Sequence, residues 1–187
     1  MSDLIEKISR ICPSAQFTEG ETLLVTVEEK DWYPLAKALK ETEGLRFDVL
    51  SAVVGMDWKD SLGVMYYLTS TSRGWDMISV KVAVTDRENP MIHSVSDLWK
   101  VALFQEREVF DFYGIKFINH PDMRRFFLRN DWVGYPLRKD YDTNPDLNPL
   151  RMTDEENEDA TVSYVEQPDG KVEAVPGTVF EAGDYVV

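Results

Sequence analysis

The chain has 187 residues, 43% hydrophobic and 12% aromatic, which is enough apolar material for one globular domain with some tail and too much for a wholly disordered chain. A formal charge of −14 and a sequence pI near 4.5 repel phosphate backbones and anionic headgroups, so neither nucleic acid nor a bare lipid surface is the expected main partner. Cys12 is the only cysteine, which excludes an intrachain disulfide, a four-cysteine iron–sulfur site and a cysteine-rich zinc site.

The longest apolar run, Phe47 to Met56, carries Asp48 and is too short to span a bilayer. The opening residues lack the basic start and apolar stretch of a secretory signal, so a cytosolic setting is expected. His93 and His120 are far apart and match no metal-helix spacing.

In chain order, Leu4, Ile5, Ile8, Ile11 and Cys12 recur at helical spacing before Pro13, which predicts a short amphipathic helix. Glu21 to Glu28 alternates as a strand does. Asp31 is the expected N-cap of a second helix, with Pro34 in its first turn, Trp32, Leu35, Ala36 and Leu39 on one face and Gly44 closing it. Three extended segments follow, 46–57, 62–71 and 75–85, joined by turns suited to antiparallel hairpins. A third helix, capped by Ser94 or Ser96 and bent near Phe104, should run to Tyr113 with Gly114 at its end. Ile115 to Phe117 reads as a short strand and His120-Pro121 as a turn. Together these predict a two-layer α+β domain over residues 1–141, with a mixed or mostly antiparallel sheet covered by helices. Residues 142–187 are acidic, with Arg151 and Lys171 as their only bases, and read as an extended C-terminal arm.

Bases concentrate between Glu106 and Tyr141, among many aromatic residues. Glu108 and Asp111 stand three apart on the predicted helix and so share a face, where Arg124 and Arg125 are the expected counter-charges. Bidentate arginine–carboxylate pairs would lock a loop onto that helix. A catalytic reading takes Glu108 and Asp111 as acid and base, or His120 with Asp122, in a stand-alone enzyme. No nucleophile elbow and no glycine-rich phosphate loop accompanies them. Trp132 and Tyr135 are interface anchors in one reading and plain core aromatics in the other. Arg138, Lys139 and Asp140 mark the exit of the chain towards a partner, where charge reversal should harm docking more than stability.

Three linked blocks carry a resemblance. They are Glu106-Arg107-Glu108-x-x-Asp111-x-x-Gly114-Ile115-x-Phe117, then His120-Pro121-Asp122-x-Arg124-Arg125, then Asp131-Trp132-x-Gly134-Tyr135-Pro136-Leu137-Arg138-Lys139-Asp140-Tyr141. In these blocks the chain resembles the C-type subunit of proton-pumping NADH-quinone oxidoreductase, respiratory complex I. The resemblance implies a non-catalytic structural and assembly component of the peripheral arm, at the cytoplasmic face of the membrane without inserting into it. It also implies that this chain binds no cofactor, the NADH, flavin, iron–sulfur clusters and quinone being held by other subunits. The implied partners are the D-type subunit and iron–sulfur subunits, onto which the C-terminal arm would wrap. Corresponding subunits of membrane-bound hydrogenases and of ferredoxin- or coenzyme-linked dehydrogenases resemble it too, and that alternative stays open. The segment from Val179 to Val187 is similar to the opening strand of the D-type subunit, so the chain is read either as the C part of a C/D fusion or as a free C-type subunit.

Overall fold

The helix α1 (Ser2–Ile11) buries Leu4 and Ile8, the residues that its apolar spacing placed on one face. The computed structural model describes residues 2–130, 132–141, 162–168 and 170–176. After α1 a short strand, β1 (Gln16–Thr18), pairs antiparallel with β2 (Leu23–Glu28), whose alternation buries Leu23, Val25 and Val27. The sequence had not revealed β1.

The helix α2 (Glu29–Glu41) follows β2 without a loop, and Glu28 is both the last strand residue and the N-cap. This corrects the expected cap: Asp31 lies within the first turn of α2, and its carboxylate accepts the Ser14 hydroxyl at 2.6 Å. Pro34 therefore sits inside the helix rather than at its start. The antiparallel strands β3 (Val49–Asp57), β4 (Leu62–Ser70) and β5 (Asp76–Val84) match the three expected extended segments.

These strands form a five-stranded sheet in the order β1-β2-β5-β4-β3, mixed because β2 runs parallel to β5. Cross-strand neighbours Val25, Val80, Tyr66 and Val53 make one buried row through four strands. Trp32 of α2 stacks on Tyr66 at 4.1 Å between ring centroids, which seats that helix on the row.

A second sheet, in the order β6-β7-β8-β9, begins with β6 (Met91–His93), crosses through α3 (Ala102–Tyr113) and returns parallel as β7 (Lys116–Ile118). The strands β8 (Val162–Glu166) and β9 (Val172–Pro176) form a hairpin whose first strand pairs parallel with β7. Part of the stretch expected to be an extended arm is thus sheet. The junction with a D-like segment, expected at 179–187, lies outside the described residues.

Two features differ at α3. It begins at Ala102, and the expected caps Ser94 and Ser96 precede a series of turns over 95–101. Those serines are instead drawn to a buried carboxyl on α3. Gly55 on β3 lets the helix approach closely, because a Cβ there would stand 2.3 Å from Cδ2 of Tyr113.

Candidate functional site

The first block of the motif runs from within α3 through Gly114 into β7, and its charged residues lie in different surroundings. Glu106, Arg107 and Asp111 are buried, whereas Glu108 is exposed. Buried charge must find partners, and these partners fix the chain that follows β7.

Arg107 donates from Nη1 to Asp122 Oδ2 at 3.2 Å, from Nε to the Arg124 carbonyl at 3.1 Å and from Nη2 to the Arg125 carbonyl at 3.0 Å. Its guanidinium also lies 4.9 Å from the Phe126 ring centre. Arg124 pairs with Asp122, Nε to Oδ1 at 3.0 Å. Arg125 reaches Asp111 Oδ1 at 3.3 Å and donates to the carbonyls of Trp132 and Gly134 at 3.1 Å each. The remaining oxygen of Asp111 accepts the backbone N–H groups of Phe126, Phe127 and Leu128 at 2.7, 2.5 and 3.2 Å.

The expected pairing of Arg124 and Arg125 with Glu108 and Asp111 is therefore half right. Arg125 answers Asp111, Arg124 answers Asp122, and Glu108 takes part in no ion pair among the described residues. The locking of a loop onto the helix is present, with Arg107 as an added brace that its place in the motif did not reveal.

His120 is fully buried, with Nδ1 accepting the Asp122 N–H at 3.0 Å and Nε2 facing the Leu103 carbonyl at 3.1 Å. A carbonyl can only accept, so the proton sits on Nε2 and the ring is neutral. Burial pushes its pKa down to about 4. Pro121 follows in the turn, half-buried.

Glu106 lies 3.9 Å from that same Nε2, within ion-pair reach, yet burial pushes its carboxyl up to about 8. Bonds from the Ser94 hydroxyl at 2.6 Å and the Val95 N–H at 2.8 Å pull the other way and are outweighed. With the ring unprotonated and the carboxyl holding its proton at neutral pH, the contact is between neutral groups.

The third block closes the helix end. Gly114 adopts φ +69° as the C-cap of α3, and a Cβ there would meet the Tyr135 ring at 2.4 Å. Tyr135 is half-buried, with the guanidinium carbons of Arg125 and Arg138 at 5.4 and 4.7 Å from its ring centre. The ring thus packs against the arginines and helix end of its own domain. Trp132 is half-buried, and its indole Nε1 is buried without a partner among the described residues.

Pro136 is half-buried and Leu137 exposed, while the Leu137 N–H reaches the Phe112 carbonyl at 3.1 Å. Arg138 donates to the carbonyls of Tyr113 at 2.6 Å and Arg87 at 2.9 Å. The Lys139 N–H bonds Asp57 Oδ2 at 2.9 Å, and Asp140 pairs with Arg87 at 2.8 Å. Residues expected to mark an exit towards a partner are therefore fastened to their own domain. Asp131 lies outside the described residues.

Sequence reasoning missed the centre of this fastening. Asp57, at the end of β3, receives both Arg87 Nη1 and Nη2, at 2.8 and 3.0 Å, and Arg87 holds its carboxyl well below the usual range. An acid in a buried phase of a strand is the one signal that would have flagged it.

The catalytic reading needed Glu108, Asp111 and His120 to share a pocket. A cleft of about 140 Å³ beside Glu108 is lined by Val53, Val54, Gly55, Val109, Phe112, Tyr113 and Leu137, and neither Asp111 nor His120 reaches it. Among the described residues no His, Cys, Asp and Glu side chains group in a way that could hold a metal ion, and no helix is long and apolar enough to cross a membrane.

The fold is shared with a component of a respiratory membrane complex: a chain in the structure of the membrane-bound sulfane sulfur reductase, an archaeal respiratory membrane complex, superposes with a TM-score of 0.62, at 21% identity, over 84% of this chain and 96% of that one. The braced domain is thus of the α+β class, built on two mixed sheets. The chain is a member of the family of the respiratory-chain NADH dehydrogenase 30 kDa subunit, whose sequence model matches residues 25–146. It is 52% identical over 151 residues to the C/D-type subunit of NADH-quinone oxidoreductase from Phocaeicola vulgatus, a match that covers 80% of this chain and 28% of that protein. It is 36% identical over 144 residues to the C-type subunit of NADH-quinone oxidoreductase from Moorella thermoacetica, covering 75% of this chain and 95% of that protein. The match thus spans about 28% of the length of the C/D-type relatives and nearly all of the shorter C-type protein, so both fused and separate forms occur among proteins similar to this chain.

Proposed function

We propose that this chain is a cofactor-free structural and assembly component of the peripheral arm of NADH-quinone oxidoreductase, docking to the D-type unit and to iron–sulfur subunits at the cytoplasmic face of the membrane. Electrons from NADH would pass to quinone through flavin and iron–sulfur clusters held elsewhere in the enzyme. One observation carries this reading: the motif arginines Arg107, Arg125 and Arg138 are committed to carbonyls and carboxylates of the same chain. Such residues shape a surface rather than act on a substrate. The names of the 52% and 36% identical relatives favour the NADH-linked enzyme over a hydrogenase or other dehydrogenase.

The test is purification of the chain from native membranes in mild detergent, with mass spectrometry of what accompanies it and iron and flavin analysis of the chain alone. Co-purification with the D-type unit and iron–sulfur subunits, and a colourless chain, is the expected result. A chain that purifies free of all such partners, or that turns over NADH by itself, would overturn the proposal.

A further inference from the structure

In the motif Glu106-Arg107-Glu108-x-x-Asp111, three ionisable residues are buried and bonded, and Glu108 alone faces outward. Its neighbours on that side are apolar. Phe104, Glu108 and Phe112 stand four apart along α3 and so line one face of the helix. Beside them, Phe127 packs on Phe112 with ring centres 5.9 Å apart, and Phe126 lies between Phe104 and Phe127 at 5.7 and 4.6 Å. Phe126, Phe127 and Leu137 keep 46%, 59% and 52% of their surface open, a concentration of exposed apolar area that single exposed residues do not make. The cleft of about 140 Å³ opens in the same place, between Glu108, Phe112 and Leu137 on one side and the edge strand β3 on the other.

We propose that this face docks a protein segment in which a lysine or arginine stands between apolar side chains, its cation pairing with Glu108 and an apolar neighbour entering the cleft. The inference rests on the role in the complex given above and adds the surface and the chemistry of its occupant. Charge decides among occupants. Another copy of the chain would bring a net charge of −14 towards the same sign, and an anionic lipid surface would meet a bare carboxylate at the centre of the patch. A cation among apolar groups satisfies both features of the face, and a carboxylate ringed by apolar surface loses water as the partner closes, which strengthens the pair.

A photo-crosslinking amino acid placed in turn at Phe104, Phe127 and Leu137, with Trp75 as an exposed control on the turn after β4, tests this in the enzyme assembled in native membranes. The three positions should link to one segment of another protein of the complex that contains a lysine or arginine, and position 75 should not. In parallel, Glu108→Lys should lower recovery of the chain with the enzyme about tenfold by setting like charges together. Glu108→Gln should lower it less, and the melting temperature of the chain should be unchanged by both. Links to a second copy, to lipid or to nothing would overturn the docking face, as would normal recovery of Glu108→Lys. If the wild-type chain is itself absent from the purified enzyme, the role in the complex and the docking face both fall. If it is present without those links, only the docking face does.

Discussion

The backbone N–H of Lys139 donates to the side chain of Asp57 at 2.9 Å, joining residues 82 apart in the chain. The same carboxylate holds Arg87 in a two-bond fork, and Arg87 holds Asp140 at 2.8 Å, so one acid at the end of β3 organises the last block of the motif. Asp57→Asn should leave Arg87 with the exposed Asp140 as its remaining counter-charge and cost about 2 kcal/mol in urea unfolding at pH 7. The folded carboxyl titrates below its ordinary value, so the unfolded chain binds more protons as the medium turns acid. Its stabilisation is complete above the ordinary carboxylate pKa and is lost as pH falls towards the folded one. The stability gap between wild type and Asp57→Asn should accordingly narrow as pH falls below about 4, and a constant gap from pH 7 to pH 3 would contradict this assignment.

Arg125 gives a second comparison. Arg125→Ala should cost about 3 kcal/mol by stranding Asp111 in the interior. Arg125→Lys should recover only part of this, because an ammonium cannot reach the Asp111, Trp132 and Gly134 oxygens together as the planar fork does. Equal melts for lysine and arginine would show that charge alone matters.

Glu106 and His120 predict an uncommon pH profile. The Glu106 carboxyl keeps its proton in the fold up to about pH 8, whereas the unfolded chain ionises near its ordinary value of 4.5, so its contribution is complete below 4.5 and declines as pH rises to 8. His120 acts oppositely: its folded pKa of about 4 lies below the ordinary 6.5, and its contribution declines as pH falls from 6.5 to 4. The two slopes offset each other between 4.5 and 6.5. Above 6.5 only Glu106 acts, and stability should fall by about 2 kcal/mol by pH 8. Glu106→Gln should remove that fall in denaturant titrations, and parallel curves for the two proteins would refute it.

The last block offers a contrast between neighbours. Arg138→Glu removes two bonds to carbonyls and should destabilise the chain by about 1–2 kcal/mol. Lys139→Glu should fall within about 0.5 kcal/mol of wild type, because Lys139 contributes its backbone and its side chain is exposed. Thermal melts of the two variants separate the roles.

Gly114→Ala forces a β-carbon into a left-handed position and against the Tyr135 ring, and should cost about 2 kcal/mol or more. A melt within experimental error of wild type would mean that the helix end repacks freely.

Local pattern made the first part of the fold legible. Alternation at Val80 and Val82, helical spacing at Leu4 and Ile8 and the stop at Gly114 all act over a few residues, and each matched its element. Partners distant in sequence were not legible in that way. The short β1 gains its strand character only from β2, and Ser94 looked like a helix cap because its real acceptor, Glu106, lies 12 residues on. Glu108 and Asp111 were grouped by spacing, but burial separated them, since helical neighbours three apart need not lie at the same depth. Asp57 and Arg87 carried no motif at all.

The three amides that converge on Asp111 have an effect beyond holding a loop. Phe126 and Phe127 have their main chain tied to the helix that carries Phe104 and Phe112, so the four rings move with one rigid element. A surface already set in its bound shape gives up little conformational freedom when it is covered, and a modest contact area can then yield a long-lived complex.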